Sequence, residues 1–365
     1  MSKFDKEKFG KRLRAEREKL SLSQEELAEK IGTTPGNVSR WEKGATFPNF
    51  YFRRQLYEIF GESLPIIAAK DAQRSSDPAP DDIVDEFHSV FYFNIPRLPG
   101  PAEFYGRRKE RMILRNRLHH KASTSLVGPR RIGKTWLLHY LQCIVPTKAD
   151  TEYDVGYIDA TLPRCHTMIG LATSILETLK IAPVDNSTLD EHLIKLEQAL
   201  IDAQGKVFVL CIDEFEGVCA TPDFDMTFLE SLRALANYGL CLVTASRSPL
   251  QEVIREKMGP DFTSPFFNIF SQMQIKPFDK SEAEDFAAQK SKQAGFTVNE
   301  RDYLLKFGQE DENTQEWYPM RLQLAGLMIQ EDTYFSEVDP AYQHNPQKPG
   351  YWQVFKERLQ ERYGG

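Results

Sequence analysis

The stretch Thr124-Ser125-Leu126-Val127-Gly128-Pro129-Arg130-Arg131-Ile132-Gly133-Lys134-Thr135-Trp136-Leu137-Leu138-His139-Tyr140-Leu141 decides the fold. A short apolar run ends in a loop of pattern G-x-x-x-x-G-K-T, and an apolar helical run follows. Gly128 and Gly133 let the backbone curl so that successive N–H groups point at a β-phosphate. The helix that follows adds the positive end of its dipole. Lys134 suits a bridge between β- and γ-phosphates, and the Thr135 hydroxyl suits Mg²⁺. Arg131 and Trp136, inside and just after the loop, join the expected nucleotide-binding set.

A site of this kind needs a second half, a buried strand that ends in acid. Val207-Phe208-Val209-Leu210-Cys211-Ile212-Asp213-Glu214 supplies it. Asp213 at the strand tip is placed to hold Mg²⁺, and Glu214 beside it to polarise an attacking water. The pairing points to hydrolysis in addition to binding. A third strand, Gly239 to Ser246, ends in Arg247. In a parallel sheet that tip faces the crevice at the carboxyl ends of the strands, where ligands bind. A cation there either senses a γ-phosphate or is an ordinary surface arginine.

Outward from these strands the pattern alternates. Between about Phe104 and Lys276, apolar strand-like runs (SLVG, DVGYIDA, KVFVLCID, GLCLVTAS, NIFSQMQI) are separated by helical segments expected at 166–180, 190–203 and 226–237. Strands alternating with helices imply a parallel sheet with crossovers, hence an α/β core at 101–277. After Pro277 only helical patterns follow, which predicts a helical lid over 278–365. No internal repeat is visible.

The amino-terminal segment is different in kind. Phe9, Leu13 and Leu20 are spaced for one helix face. Ser23 with Glu26 reads as a capping box for QEELAEKI. Gly32 closes that helix, Thr34 caps the next, Pro35 takes its first position and Gly44 stops it. A further helix is expected over Phe52–Phe60. The first sixty-one residues therefore form a small all-α domain, and 62–100, rich in Pro, Asp and Ser, reads as a linker. Its apolar patch Phe87–Phe93 is expected to dock on a domain.

Composition bounds the rest. The 365 residues suit two or three units. A hydrophobic content of 41% with 27% charged residues excludes disordered and collagen-like classes. No run approaches the ~20 apolar residues of a membrane span, and the charged first twenty residues do not read as a signal peptide. A cytoplasmic protein without a membrane partner is expected. The five cysteines form no C-x-x-C pair, and Cys211 and Cys241 lie in apolar strands, so they read as buried thiols. Seven scattered histidines without H-E-x-x-H argue against zinc. The net charge is −7, but the first sixty-one residues carry +4 and the remainder −11. A basic head on an acidic body suits a local nucleic-acid contact, although charge alone does not separate that from a solvated helix pair.

Together these motifs resemble the STAND branch of AAA+-like P-loop ATPases, in particular the archaeal-type ATPase group, over roughly residues 100–335. FYGRRKE (Phe104–Glu110) is similar to that family's lead-in motif, and the resemblance implies that Tyr105 and Arg107 lie near the adenine. TASR resembles the strand tip whose arginine reads the γ-phosphate, which implies that role for Arg247. The lid of the family carries Gly-x-Pro with the proline on the base. Here Trp317-Tyr318-Pro319 keeps Pro319 and puts Trp in place of Gly. Arg321 reads either as a second phosphate sensor or as a lid surface residue. No winged-helix segment or repeat array is read after the lid. The resemblance implies ATP and Mg as ligands.

Residues 9–61 resemble the Cro/repressor-type helix-turn-helix domain. On its pattern Gln24 and Lys43 would touch phosphates, while Thr34, Asn37 and Arg40 would face the major groove of double-stranded DNA. Arg40 is the residue best suited to a bidentate guanine contact. Leu27, Ala28, Ile31, Val38 and Trp41 are expected in the core. Protein docking is the alternative use of such a head.

Three functions follow from these readings. The first is an ATP-controlled switch whose oligomeric state, set by nucleotide, decides how many heads engage DNA together, as a transcriptional, mobile-element or defence regulator. The second is an oligomeric DNA-dependent ATPase, a loader or transposition helper, for which Arg233 and Arg255 are candidate fingers supplied in trans. The third is an immune-type signalling scaffold with an unknown protein partner.

Overall fold

A computed structural model describes residues 3–31, 33, 35–44, 48, 52, 56, 59, 60, 87–145, 152–183, 188–203, 205–259, 264–311, 314–339 and 341–364. Gly32, Thr34, Gly61 and most of the expected linker lie outside the described residues. The chain forms two compact units. One comprises residues 1–93, 286–308 and 322–365, the other residues 94–285 and 309–321.

The first unit begins with α1 (Lys3–Lys19), α2 (Gln24–Ile31) and α3 (Pro35–Glu42). The capping box forms as its spacing requires: Glu26 N–H donates to Ser23 Oγ at 3.0 Å, and Ser23 N–H donates to Glu26 Oε2 at 2.7 Å. Leu13, Leu27, Ala28, Ile31, Val38 and Trp41 are buried together with Leu56 and Phe60. Leu20 departs from the expected face. It falls in the turn after α1 and is 52% exposed, because the helix ends one residue before it. Arg17 and Glu42, both buried, join α1 to the end of α3 through Nε–Oε1 at 2.6 Å and Nη2–Oε2 at 3.1 Å.

The second unit runs α4 (Arg108–His119), β1 (Ser123–Val127), α5 (Lys134–Ile144), β2 (Tyr153–Asp159), α6 (Met168–Thr178), α7 (Leu189–Ile201) and β3 (Val207–Asp213). It continues through α8 (Glu216–Ala220), α9 (Met226–Asn237), β4 (Leu240–Ser246), α10 (Leu250–Met258) and β5 (Phe270–Gln274). The five strands make one parallel sheet in the order β2-β3-β4-β1-β5. Strands β1, β3 and β4 are buried throughout, β3 and β4 as the near-continuous apolar runs of a doubly covered sheet and β1 with Ser123, Thr124 and Ser125 buried as well. The side chains divide by strand alternation into two apolar layers. Val209, Cys211, Val243 and Ala245 face α5, while Leu210, Ile212, Leu240 and Leu242 face α6, α9 and α10. Burial pushes the Cys211 thiol up and that of Cys241 up to about 12, so both behave as small apolar groups.

Four helices follow: α11 (Lys280–Ala294), α12 (Val298–Gly308), α13 (Pro319–Val338) and α14 (Tyr351–Gly364). The patch Phe87–Phe93 docks on them within the first unit. Ser89 Oγ donates to Gln330 Oε1 at 2.7 Å, Tyr92 N–H donates to Gln323 Oε1 at 2.9 Å, and the buried Lys290 ammonium donates to the Val90 carbonyl at 2.5 Å. Phe91 stacks on Phe296 and is 3% exposed. On the opposite side of α13, buried Asp332 receives Tyr342, Tyr351 and both arms of Arg358, which fixes α14.

Candidate nucleotide site and DNA-facing helix

The loop after β1 is shaped by two left-handed residues, Arg131 (φ 63°) and Gly133 (φ 96°). Gly133 caps α5, whose first residues are Lys134 and Thr135. Gly128 has a packing reason beyond the curl expected of it: a Cβ there would lie 2.7 Å from the Ile275 carbonyl at the end of β5. Lys134 is 6% exposed, and its ammonium donates to the carbonyls of Gly128 at 2.7 Å and Pro129 at 3.0 Å. Burial lowers its pKa, while the carboxylates of Glu214, Asp213 and Glu216 act in the opposite direction. The loop lysine and the acids after β3 thus share one electrostatic neighbourhood at the carboxyl edge of the sheet. Thr135, Arg131 and Trp136 are half-buried beside it, with Trp136 packed on the same apolar layer as Tyr318.

Register places the strand tips. Asp213 pairs with Asp159 across β2 and β3, and Val127 pairs with Ser246 across β1 and β4. The Gly128 N–H then donates to the Ser246 carbonyl at 3.2 Å, and the Phe215 N–H to the Ala245 carbonyl at 2.9 Å. These bonds set the phosphate loop, the acidic turn and Arg247 along one edge. Asp213 is 3% exposed; its Oδ2 accepts the Tyr157 hydroxyl at 3.0 Å and its Oδ1 accepts the Glu214 N–H at 3.0 Å. Burial and the adjoining carboxylate push the Tyr157 phenol up, so it remains a donor. Glu214 sits in the left-handed region (φ 46°), and its Oε2 lies 3.7 Å from Arg247 Nη2. The Arg247 N–H donates to Glu216 Oε1 at 2.6 Å, and Glu216 Oε2 is buried with no hydrogen-bond partner.

Three participants escaped the sequence reading. Tyr157 and His139, whose rings lie 4.5 Å apart, line the inner side of Asp213. Glu216 anchors the turn that carries Arg247. The register of β2 on β3 brings Tyr157 to the acid, and the packing of α5 brings His139 to Tyr157, so no local pattern announces them.

Arg107, expected near a base, is 2% exposed. Its Nη2 donates to the Ile132 carbonyl at 2.8 Å and its Nη1 to the Lys276 carbonyl at 2.6 Å. Tyr105 is buried at 8%. Pro319 opens α13, and Trp317, which stands where glycine was expected, pairs antiparallel with Phe278 through two backbone bonds of 2.8 and 3.1 Å. Arg321 is 3% exposed, which corrects the lid-surface reading: the residue points inward from the first turn of α13. Arg233 and Arg255 are half-buried.

In the head, Asn37 and Arg40 lie one turn apart on α3, away from the buried Val38 and Trp41, and Arg40 Nη2 donates to Asn37 Oδ1. Lys43 is exposed just beyond the helix. The Gln24 amide donates to Glu42 Oε2 at 2.7 Å. Thr34 lies outside the described residues.

Comparison with known proteins agrees with both halves. Residues 13–50 match the helix-turn-helix family and residues 116–254 the AAA domain family. No curated protein matches the chain. Among solved structures, the ORC2 protein of Aeropyrum pernix in ADPNP–ADP complexes is similar at 14% identity, covering 72% of this chain and 69% of that one, with a TM-score of 0.52. The Walker-type ATPase paby2304 of Pyrococcus abyssi is similar at 17% identity over 74% of this chain and 75% of that one, also at 0.52. Among the described residues no helix is long and apolar enough to cross a membrane. The chain joins a Cro-type helix-turn-helix domain at its amino end to a P-loop ATPase domain of the AAA family.

Proposed function

We propose that the protein is a STAND-type switch: it binds and slowly hydrolyses ATP, and nucleotide state sets its oligomerisation and the grip of its helix-turn-helix heads on double-stranded DNA. On this reading residues 1–61 are the DNA-binding head, 62–100 the linker, 101–277 the ATPase core and 278–365 the lid. The observation that carries it is the meeting of Lys134, Asp213, Glu214 and Arg247 at one sheet edge, in a chain that also bears a helix-turn-helix. The solved Aeropyrum pernix relative holds ADPNP and ADP, which supports an adenine nucleotide as the ligand.

The residues fit that ligand. The curled loop presents backbone N–H groups, and the Lys134 ammonium has only carbonyl partners to give up. Glu214 polarises the attacking water, Arg247 senses the γ-phosphate, and the ion pair between them couples the two tasks. Tyr157 and the Glu214 N–H hold Asp213 in place. Thr135 and Asp213 would hold a Mg²⁺ ion, which would supply charge neutralisation to the phosphates. Tyr105, Trp136 and Pro319 border the base end of the site on this reading. Gln24, Thr34, Asn37, Arg40 and Lys43 face DNA.

Light scattering with ADP or a non-hydrolysable ATP analogue, with and without random duplex DNA, tests the switch. A change of mass and of DNA affinity with nucleotide, absent in Lys134→Ala, is expected. Identical behaviour under all conditions would exclude it. The second reading, an oligomeric DNA-dependent ATPase, draws on the likeness to the Pyrococcus abyssi ATPase. It requires DNA to raise turnover several-fold and ATP to produce rings or filaments.

A further inference from the structure

We propose that Arg107 is a positioning residue for the phosphate loop: it acts on the triphosphate through the Ile132 carbonyl and makes no contact with the base. The inference rests on the reading above that this loop binds nucleotide.

The guanidinium of Arg107 spans two backbone carbonyls from different elements. One arm holds Ile132, inside the loop, and the other holds Lys276, just past β5. A peptide unit is planar, so pinning the Ile132 carbonyl fixes the direction of the Gly133 N–H on the other side of the same unit. That N–H is among the donors the loop offers to a phosphate. Gly133 lies at φ 96° and faces open space where a Cβ would stand, so no side chain packs on it from that side. Removing Arg107 takes away the side-chain hydrogen bond that orients this unit. The other end of the loop is held independently, because Gly128 abuts the Ile275 carbonyl and the Ile275 N–H donates to Val127 at 2.7 Å.

The arginine is itself fixed. Its own N–H donates to Glu282 Oε1, and Glu282 also forms the capping box of α11 with Asp279. Its guanidinium lies 5.1 Å from the Phe278 ring centroid and 3.9 Å from Glu110. Burial lowers its pKa while Glu110 and Glu282 oppose that. A side chain 2% exposed, with both terminal nitrogens committed to carbonyls, has no open edge for an adenine. Arginine is required because its planar fork reaches two acceptors in fixed directions, which a lysine ammonium on a flexible stem does not.

The test uses the full chain and three probes: ATP, GTP and inorganic tripolyphosphate, the last having no base. Titration calorimetry of Arg107→Lys and Arg107→Gln is expected to show all three probes weakened by one common factor, about tenfold or more. Hydrogen exchange is expected to quicken at Gly133 and Lys134 while the amides of β3 keep wild-type protection; a general loss of stability would quicken both. If the Gln variant does not fold, the Lys variant, which keeps the charge, carries the measurement. A selective loss for ATP with tripolyphosphate unchanged would overturn the proposal in favour of base contact, and unchanged affinities in both variants would overturn it outright. A wild-type chain that binds none of the probes overturns the nucleotide reading itself, and this proposal with it, in a way the variants do not imitate.

Discussion

The ring of Phe91 occupies the space that a side chain on Gly326 would need. A Cβ at Gly326, in the middle of α13, would fall inside the ring. The apolar patch Phe87–Phe93 is thus seated in a socket that exists because one helical residue is bare. Glycine in a helix interior costs about 1 kcal/mol relative to alanine, so its presence there requires a reason, and Phe91 is one. Phe91→Ala is expected to lower stability by about 3–5 kcal/mol, the range for a fully buried phenylalanine. Gly326→Ala is expected to destabilise the wild-type chain by expelling the ring, and to stabilise the Phe91→Ala chain by about 1 kcal/mol through helix propensity alone. Chemical denaturation of the four proteins reads this reversal of sign. A Gly326→Ala effect of the same sign in both backgrounds would show that the socket is not the reason for the glycine.

Glu214 is held at the sheet edge in a left-handed conformation with Arg247 at 3.7 Å. If it polarises water, Glu214→Gln should still bind ATP but turn it over more slowly by about 10²–10⁴-fold. Single-turnover measurements with filter binding separate the two steps. Unchanged turnover would move the base to another acid, for which Glu216, with one buried oxygen lacking a hydrogen-bond partner, is next in line.

Much of this was legible along the chain, for reasons that differ by residue. Strands β3 and β4 announce themselves because a sheet covered on both faces needs continuous apolar runs, and the loop from Gly128 to Thr135 by the spacing of its glycines and lysine. The helix expected over 226–237 appears as Met226–Asn237. Tyr157 and His139 were invisible, since the link of Tyr157 to Asp213 is set by the register of β2 on β3 and that of His139 by the packing of α5 against Tyr157, long-range relations with no local signature. The burial of Arg321 and the two carbonyl partners of Arg107 escaped for the same reason. A sequence names an arginine, but not which backbone oxygens tertiary packing will bring to it. Leu20 shows the converse error, an apolar residue assigned to a helix face one position after the helix had stopped.

His139 gives the core an acid-sensitive component. Its Nδ1 accepts the Leu98 N–H at 3.4 Å, and Asp213 and Arg97 are the charges that act on it. Burial dominates and lowers its pKa from 6.5. Above pH 6.5 both folded and unfolded forms are neutral there, and the contribution is constant. Below it the unfolded chain takes a proton that the folded chain refuses, so stability falls until the folded residue itself titrates. His344, also lowered chiefly by burial, adds a slope of the same sign. Urea midpoints at about pH 7.5 and about pH 5.5 should converge in His139→Asn relative to wild type. Parallel losses in the two proteins would remove His139 from the account.

Arg40 and Lys43 should fail in different ways if α3 enters a groove. Arg40 is exposed and its guanidinium is already oriented by Asn37, the arrangement a bidentate base contact needs. Arg40→Ala is expected to cost about 1–3 kcal/mol on a preferred site and little on random duplex, so the ratio of the two affinities collapses. Lys43 lies past the helix end, where on the same reading it would meet a phosphate and read no base. Lys43→Ala should therefore weaken every sequence alike and reduce the slope of log affinity against log salt by about 1. Both experiments need the head intact, and Glu42 is the residue to leave alone: it answers the buried Arg17 and also receives Gln24. Removing it would strand a buried charge at about 3–5 kcal/mol, and the lost DNA binding would report unfolding. A selection from random duplexes that returns no preferred sequence, together with unaltered binding in Arg40→Ala, would leave protein docking as the use of this helix.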